Sequence, residues 1–249
     1  MNTSKYFGFA IPALRVMLGL KPHPTTAYPL RVNAGIQLNK NAGFRVKPGM
    51  TVVIIILLLA TLWLPHPAHA ERNILVFGDS LSAAYGIPRE AGWVNLLQQE
   101  LQRTHPQYQI INASISGETA AGGRQRIAAT LRQHKPNIII LELGANDGLR
   151  GAPIKDIEAN LAAIIRQSRT ARARVLLLGM QLPPNYGIDY TASFKALYPK
   201  LERQYHAALV PFFLEGVAPD QFQADNLHPV AQAQPRILQN VMQKLEPLL

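Results

Sequence analysis

"IIILELGANDG", residues 138–148, opens as a nearly continuous apolar run and then breaks into glycine and polar residues. A strand with one wet face alternates apolar and polar residues, whereas a strand covered on both faces does not. The run therefore points to a central strand of a parallel sheet. "VLLLGM", residues 175–180, repeats the pattern. From residue 73 onward, short apolar runs alternate with amphipathic stretches, as in an α/β domain with helices on both faces of its sheet. Five strands are expected, over residues 74–77, 109–112, 137–143, 174–180 and 209–214. Helical stripes are marked by Trp93, Leu96, Leu97 and Leu101, by Ile157, Leu161, Ile164 and Ile165, and by Phe194, Leu197, Leu201 and Tyr205. A last stripe comprises Ile237, Leu238, Val241, Met242 and Leu245. No internal repeat or low-complexity segment interrupts this order.

The first 70 residues have a different character. "TVVIIILLLATLWL", residues 51–64, is the most hydrophobic run of the chain, yet it is shorter than the ~20 residues that span a bilayer. Pro65 ends it, and Ala68 and Ala70 form the small-x-small pattern of a signal-peptidase site. The expected organisation is an unpatterned leader over 1–49, a signal peptide over 50–70 and one domain over 71–249. Cleavage between Ala70 and Glu71 would deliver that domain to the periplasm or the exterior, with no stable membrane insertion afterwards. A buried core helix or strand is the bland alternative for residues 51–64. Met1, Met17 and Met50 stand open as translation starts. The longer forms keep Arg45 and Lys47 as the basic flank of the signal, while a start at Met50 leaves only the α-amino charge.

The formal net charge of +10 mostly belongs to that leader. Seven of the 25 basic residues and none of the 15 acidic ones lie within the first 70 residues, which leaves the domain at +3. No Arg/Lys cluster interleaved with aromatics argues for nucleic acid. The absence of cysteine excludes disulfides, a thiol nucleophile and Cys-ligated metal. Stability then rests on the core, for which about 180 residues suffice.

Ligands of open parallel sheets bind at the carboxyl ends of the strands, so the loops there are the informative ones. After the first strand comes Gly78-Asp79-Ser80, where Ser80 is either a nucleophile facing the cleft or an ordinary N-cap of the next helix. The segment lacks the G-x-S-x-G elbow of α/β-hydrolases, since Ser82 takes the last position. A serine nucleophile needs a base. The domain has four histidines, and His105 and His134 precede strands, at the wrong end of the sheet, while His206 sits on a helix flank. His228 remains, three residues after Asp225 in "ADNLHP", a spacing that suits either a carboxylate orienting an imidazole or a solvated turn. Gly117 in "ASISGE" and Asn146 in "GANDG" are turn residues, or else donors for an oxyanion through a backbone N–H and a side-chain amide. Together, these loops supply the parts of a serine esterase at one end of one sheet.

The blocks "FGDSLS", "ASISGET", "ELGANDGLRG" and "DNLHP" resemble, in order, the SGNH or GDSL hydrolase family. The likeness covers nearly the whole domain and includes "LPPNYG" and "YPKL". It is strongest toward the bacterial periplasmic thioesterases and lysophospholipases of that family. The resemblance implies a three-layer α/β/α, flavodoxin-like fold, with Ser80 as nucleophile, His228 as base and Asp225 as its orienting acid. It also implies an oxyanion hole made of the Ser80 N–H, the Gly117 N–H and the Asn146 amide. The substrate class it implies is small-molecule acyl esters and thioesters, among them aryl esters and lysophospholipids, handled by a monomer without metal or cofactor. The loop "QLPPNYGIDY" looks like the family's substrate loop, with Leu182, Pro183, Asn185, Tyr186 and Ile188 as its contact residues. Apolar side chains there hold an acyl chain or simply pack the loop. A carbohydrate O-acetyl esterase and a non-catalytic binding module are the competing readings.

Overall fold

The computed structural model describes residues 72–249. The leader over 1–49, the signal segment over 50–70 and the junction between Ala70 and Glu71 lie outside the described residues. Five strands, β1 (Arg72–Gly78), β2 (Tyr108–Asn112), β3 (Ile138–Glu142), β4 (Arg174–Leu178) and β5 (Ala208–Val210), form one sheet in the order β2-β1-β3-β4-β5. Every pairing is parallel, with Val76 beside both Asn112 and Ile140, and Gly78 beside Glu142. The central strands explain their own composition. Ile74 to Phe77, Ile138 to Leu141 and Leu176 to Leu178 are fully buried, so no position on either face tolerates a polar residue without a partner.

Among the described residues six α-helices cover the sheet: α1 (Trp93–Thr104), α2 (Ala120–His134), the short α3 (Ala145–Leu149), α4 (Ile154–Thr170), α5 (Ile188–Tyr205) and α6 (Gln234–Leu245). Crossovers between parallel strands are right-handed, so reversing the direction of travel across the sheet changes the face on which the helix lands. The chain steps one way from β1 to β2 and the other way afterwards. Accordingly α1 packs with α6 in one layer, while α2, α4 and α5 pack side by side in the other. The reversal leaves a crevice between the carboxyl ends of β1 and β3, the place where such sheets bind ligands.

The expected stripes on α1, α4, α5 and α6 are buried through Trp93, Leu97 and Leu101, Ile157 to Ile165, Phe194 to Leu201, and Ile237, Val241 and Leu245. Helix α2 shows no such stripe in sequence, because its buried face is Ala120, Gly123, Ile127, Thr130 and Leu131. Gly123 explains the small residues. A Cβ there would stand 2.6 Å from Leu143 Cδ1 and 3.2 Å from the Phe77 ring, so the helix lies closer to the sheet than a larger residue permits. Thr119 starts α2 by accepting the Gly122 N–H, and Lys135 ends it in a left-handed conformation. Strand ends differ from the apolar runs. β4 stops at Leu178 and β5 at Val210, although apolar residues continue to Met180 and Leu214. Pro211 has no N–H to offer the ladder, so Phe213 makes the next bond, to the Gly179 carbonyl at 2.8 Å.

Candidate active site

Ser80 stands two residues past the end of β1, after Asp79, in an irregular turn closed by Ala83 N–H to Asp79 O at 3.0 Å and Tyr85 N–H to Ser80 O at 3.1 Å. It caps no helix, since α1 begins at Trp93 after Gly92. Its hydroxyl instead lies 2.9 Å from Nε2 of His228, which arrives from the loop between β5 and α6. That loop folds back on itself. Gln223 N–H donates to His228 O at 2.7 Å, Val230 N–H donates to Gln221 O at 2.9 Å, and Asn226 at the tip takes a left-handed φ of 56°. Gln223 Nε2 also donates to Tyr85 O at 2.9 Å, joining the histidine loop to the serine turn.

Asp225 Oδ2 stands 2.7 Å from His228 Nδ1, while Oδ1 accepts the N–H groups of Leu227 at 2.9 Å and His228 at 3.0 Å. A carboxylate on Nδ1 fixes the tautomer: Nδ1 carries the hydrogen and Nε2 presents its lone pair to the Ser80 hydroxyl. The slight burial of Asp225 opposes its charge, but the two N–H groups and the imidazole outweigh it and hold the carboxyl down at about 2. The three side chains thus form one hydrogen-bonded line from acid to hydroxyl. His105 and His206 terminate α1 and α5, and His134 is the last residue of α2, all three leading into the amino ends of strands.

Two more loops complete the crevice. Gly117 follows β2 at a φ of 79°, which side-chain-bearing residues seldom adopt, and among the described residues its N–H and that of Ser80 make no hydrogen bond to protein. Arg150 Nη2 donates to the Gly117 carbonyl at 3.2 Å, and Arg126, stacked 3.8 Å from the centre of the Phe77 ring, braces the same loop through Glu118 at 2.6 Å and Ala113 O at 2.8 Å. Asn146 lies in the first turn of α3. Its Nδ2 donates one hydrogen to Asp79 Oδ2 at 2.9 Å, leaving the other unassigned. The neighbouring Asp147 accepts the Ala120 N–H at 2.7 Å and so ties α3 to the start of α2.

The crevice opens into a cavity of about 430 Å³, reached by Ser80, Gly117, Asn146 and His228 and walled by Leu149, Met180, Leu182, Pro183, Phe212, Leu214 and Phe222. Of the expected substrate loop, Leu182 and Pro183 are in this wall. Tyr186 instead donates its hydroxyl to Leu149 O at 3.0 Å, Asn185 is exposed outside the lining, and Ile188 is 82% exposed at the start of α5. The large apolar side chains left exposed among the described residues, Tyr85, Ile115, Ile188 and Leu227, all belong to loops or helix starts after strands, at the crevice end of the sheet.

Sequence reasoning misses three contributors. Tyr85 stacks on His228 with ring centres 4.6 Å apart, an arrangement no spacing announces. Asp79 holds Asn146, although it reads in sequence only as the neighbour of Ser80. Glu142 is fully buried at the end of β3 and accepts from Asp79 N–H and Ser82 Oγ. Its signal was the single charged residue inside "IIILEL".

Residues 76–234 match the GDSL-like lipase/acylhydrolase family. The chain is 50% identical over 182 residues to the esterase TesA of Pseudomonas aeruginosa, covering 72% of this chain and 90% of that one. It is 41% identical over 184 residues to the thioesterase 1/protease 1/lysophospholipase L1 of Escherichia coli K12, covering 73% and 87%. A crystal structure of TesA superposes with a TM-score of 0.70 at 49% identity, over 72% of this chain and 100% of that one.

Proposed function

Because this chain belongs to the GDSL-like lipase/acylhydrolase family and is an ester hydrolase of the serine type, we propose that Ser80, His228 and Asp225 are its catalytic residues. The observation that carries this reading is the line Asp225 Oδ2, His228 Nδ1, His228 Nε2, Ser80 Oγ, with separations of 2.7 Å and 2.9 Å. His228 Nε2 takes the hydroxyl proton as Ser80 Oγ attacks the carbonyl carbon, and Asp225 steadies the imidazolium that results. The negative charge on the carbonyl oxygen falls among the Ser80 N–H, the Gly117 N–H and the second hydrogen of Asn146 Nδ2. His228 then returns its proton to the leaving alcohol or thiol. In the second half His228 activates water, which attacks the acyl-enzyme through the same oxyanion site and restores Ser80.

The substrates proposed are acyl esters and thioesters with an apolar chain, including aryl esters and lysophospholipids. The largely apolar wall supports this, as does a cavity of a size usual for small-molecule sites. For localisation we propose the periplasm or the exterior, as a monomer starting at Glu71. The apolar core over 52–64 and the Ala68-x-Ala70 pattern support export. Cleavage there leaves the whole of β1, Arg72–Gly78, in the mature domain. Among the described residues no helix is long and apolar enough to cross a membrane.

The test is hydrolysis of p-nitrophenyl esters of increasing acyl length by residues 71–249. Turnover that rises beyond acetyl is expected. A preference confined to acetyl would favour a carbohydrate O-acetyl esterase, and no turnover at any length would favour a binding module.

A further inference from the structure

Glu142 takes no part in the proton transfers above, yet it lies in the middle of the apparatus. It ends β3 beside Gly78 of β1, fully buried. One of its oxygens, Oε2, accepts two hydrogen bonds: the Asp79 N–H at 3.1 Å and the Ser82 hydroxyl at 2.8 Å. Those donors stand on either side of Ser80. Asp79, also buried, accepts the Leu81 N–H at 3.0 Å through Oδ1 and the Asn146 amide at 2.9 Å through Oδ2. The nucleophile turn and the amide donor are therefore fastened to one another through two carboxyl groups.

We propose that Glu142 is a positioning residue for the esterase reaction, holding both flanks of Ser80 with a single oxygen and, through Asp79, setting the place of the Asn146 amide. This rests on the esterase reading above. It further requires Glu142 to be the neutral acid. The titratable groups facing the pair are the two carboxyls themselves, His228 from the loop after β5, and Tyr198 from α5, which is buried and donates its hydroxyl to Leu143 O at 3.2 Å. No lysine or arginine neutralises the pair among the described residues, and two adjacent buried carboxyls without a cation do not both ionise. Burial first, and the Asp79 charge second, push the Glu142 carboxyl well above its usual range. The remaining oxygen, Oε1, is buried without a partner if the group is ionised. As a neutral acid Glu142 can donate to the Asp79 carboxyl, with which its side chain is in hydrogen-bond contact.

Glu142→Gln retains an acceptor for both donors and replaces the acid hydroxyl by an N–H donor, whereas Glu142→Leu removes all three bonds. With p-nitrophenyl esters, Glu142→Gln is expected to keep kcat within about threefold of wild type and to leave the pH profile unmoved. Glu142→Leu is expected to lose kcat by tenfold to a hundredfold, with KM within twofold and an unchanged circular dichroism spectrum. Wild-type kcat in a folded Glu142→Leu variant overturns the proposal, and so does a Glu142→Gln loss as large as that of Glu142→Leu. If Glu142→Leu does not fold, Ser82→Ala decides: a severalfold fall in kcat alone supports the proposal and an unchanged kcat contradicts it. Infrared difference spectra of wild type and Glu142→Gln give a readout that needs no turnover. At neutral pH the wild type should show the C=O stretch of one buried neutral carboxylic acid that the variant lacks, and its absence overturns the neutral-acid role. An inactive wild type would defeat the esterase reading without touching that spectrum.

Discussion

Asn146 illustrates how much rests on single atoms. One amide hydrogen is committed to Asp79 at 2.9 Å, and only the other can meet a developing oxyanion. Asn146→Ala is therefore expected to lower kcat about 10² to 10³-fold with little change in KM, the usual cost of one such donor. A change confined to KM would make Asn146 a ground-state binding residue. Ser80→Ala should leave the fold intact and abolish hydrolysis, since among the described residues no other hydroxyl lies on His228. Asp225→Asn should cost less than His228→Gln if Asp225 only orients the ring; equal losses in kcat/KM would show that the pair acts as one unit. Asp225 also has a pH signature. Its carboxyl is held at about 2 against an ordinary value near 4, so the stability it adds is present above pH ~4 and fades as the pH falls through 2. Asp225→Asn should therefore lack this acid loss, as unfolding followed by circular dichroism between pH 5 and pH 2 will show; an identical acid transition in variant and wild type would contradict it.

At the scale of elements, the β1 turn and β3 meet through buried carboxyls, and this gives the domain an opposite pH response. Burial, only partly offset by the Leu81 N–H, the Glu142 contact, Asn146 and His228, pushes Asp79 up to about 6. The folded state then holds a proton that the unfolded chain releases near pH 4, so stability falls as the pH rises from about 4 to 6. Thermal unfolding of Asp79→Asn should lack that part of the slope; an identical slope in variant and wild type would place the charge elsewhere. Gly123→Val should overpack α2 against Leu143 and Phe77 and cost about 1 to 3 kcal/mol, seen as a lowered Tm. The elements that sequence reveals are those whose buried face is large and apolar: "IIILEL" and "VLLLGM" locate β3 and β4, and the stripes on α1, α4, α5 and α6 follow a helical period. Helix α2 is silent because close packing replaces bulk with Gly123, Ala120 and Thr130. The site follows the same logic. Ser80, Gly117, Asn146, Asp225 and His228 are legible because their loops follow strands, while Tyr85, Asp79 and Glu142 act through contacts between distant segments that no local spacing encodes.

For the whole molecule, topology decides where these parts meet: the reversal after β2 opens the crevice between β1 and β3, and four loops deliver their groups to it. The same end of the sheet bears the apolar cavity wall and the exposed Tyr85, Ile115, Ile188 and Leu227, as suits an amphiphilic substrate. Each methylene transferred from water into the cavity is worth about 0.8 kcal/mol, so kcat/KM should rise roughly fourfold per methylene until the chain fills the space, then level off. A flat series from acetyl upward would mean that the cavity does not receive the acyl chain. Intact mass of the exported protein tests the maturation proposal: a start at Glu71 is expected, and retention of residues 50–70 would make the segment an uncleaved anchor. The central claim, that Ser80 carries the acyl group, is tested most directly by treating the protein with a phosphonate p-nitrophenyl ester and mapping the adduct by mass spectrometry. One phosphonyl group per chain, on Ser80, appearing in step with the loss of esterase activity and absent from Ser80→Ala, is the result expected. Complete inhibition with Ser80 unmodified, or an adduct on another residue, would contradict it.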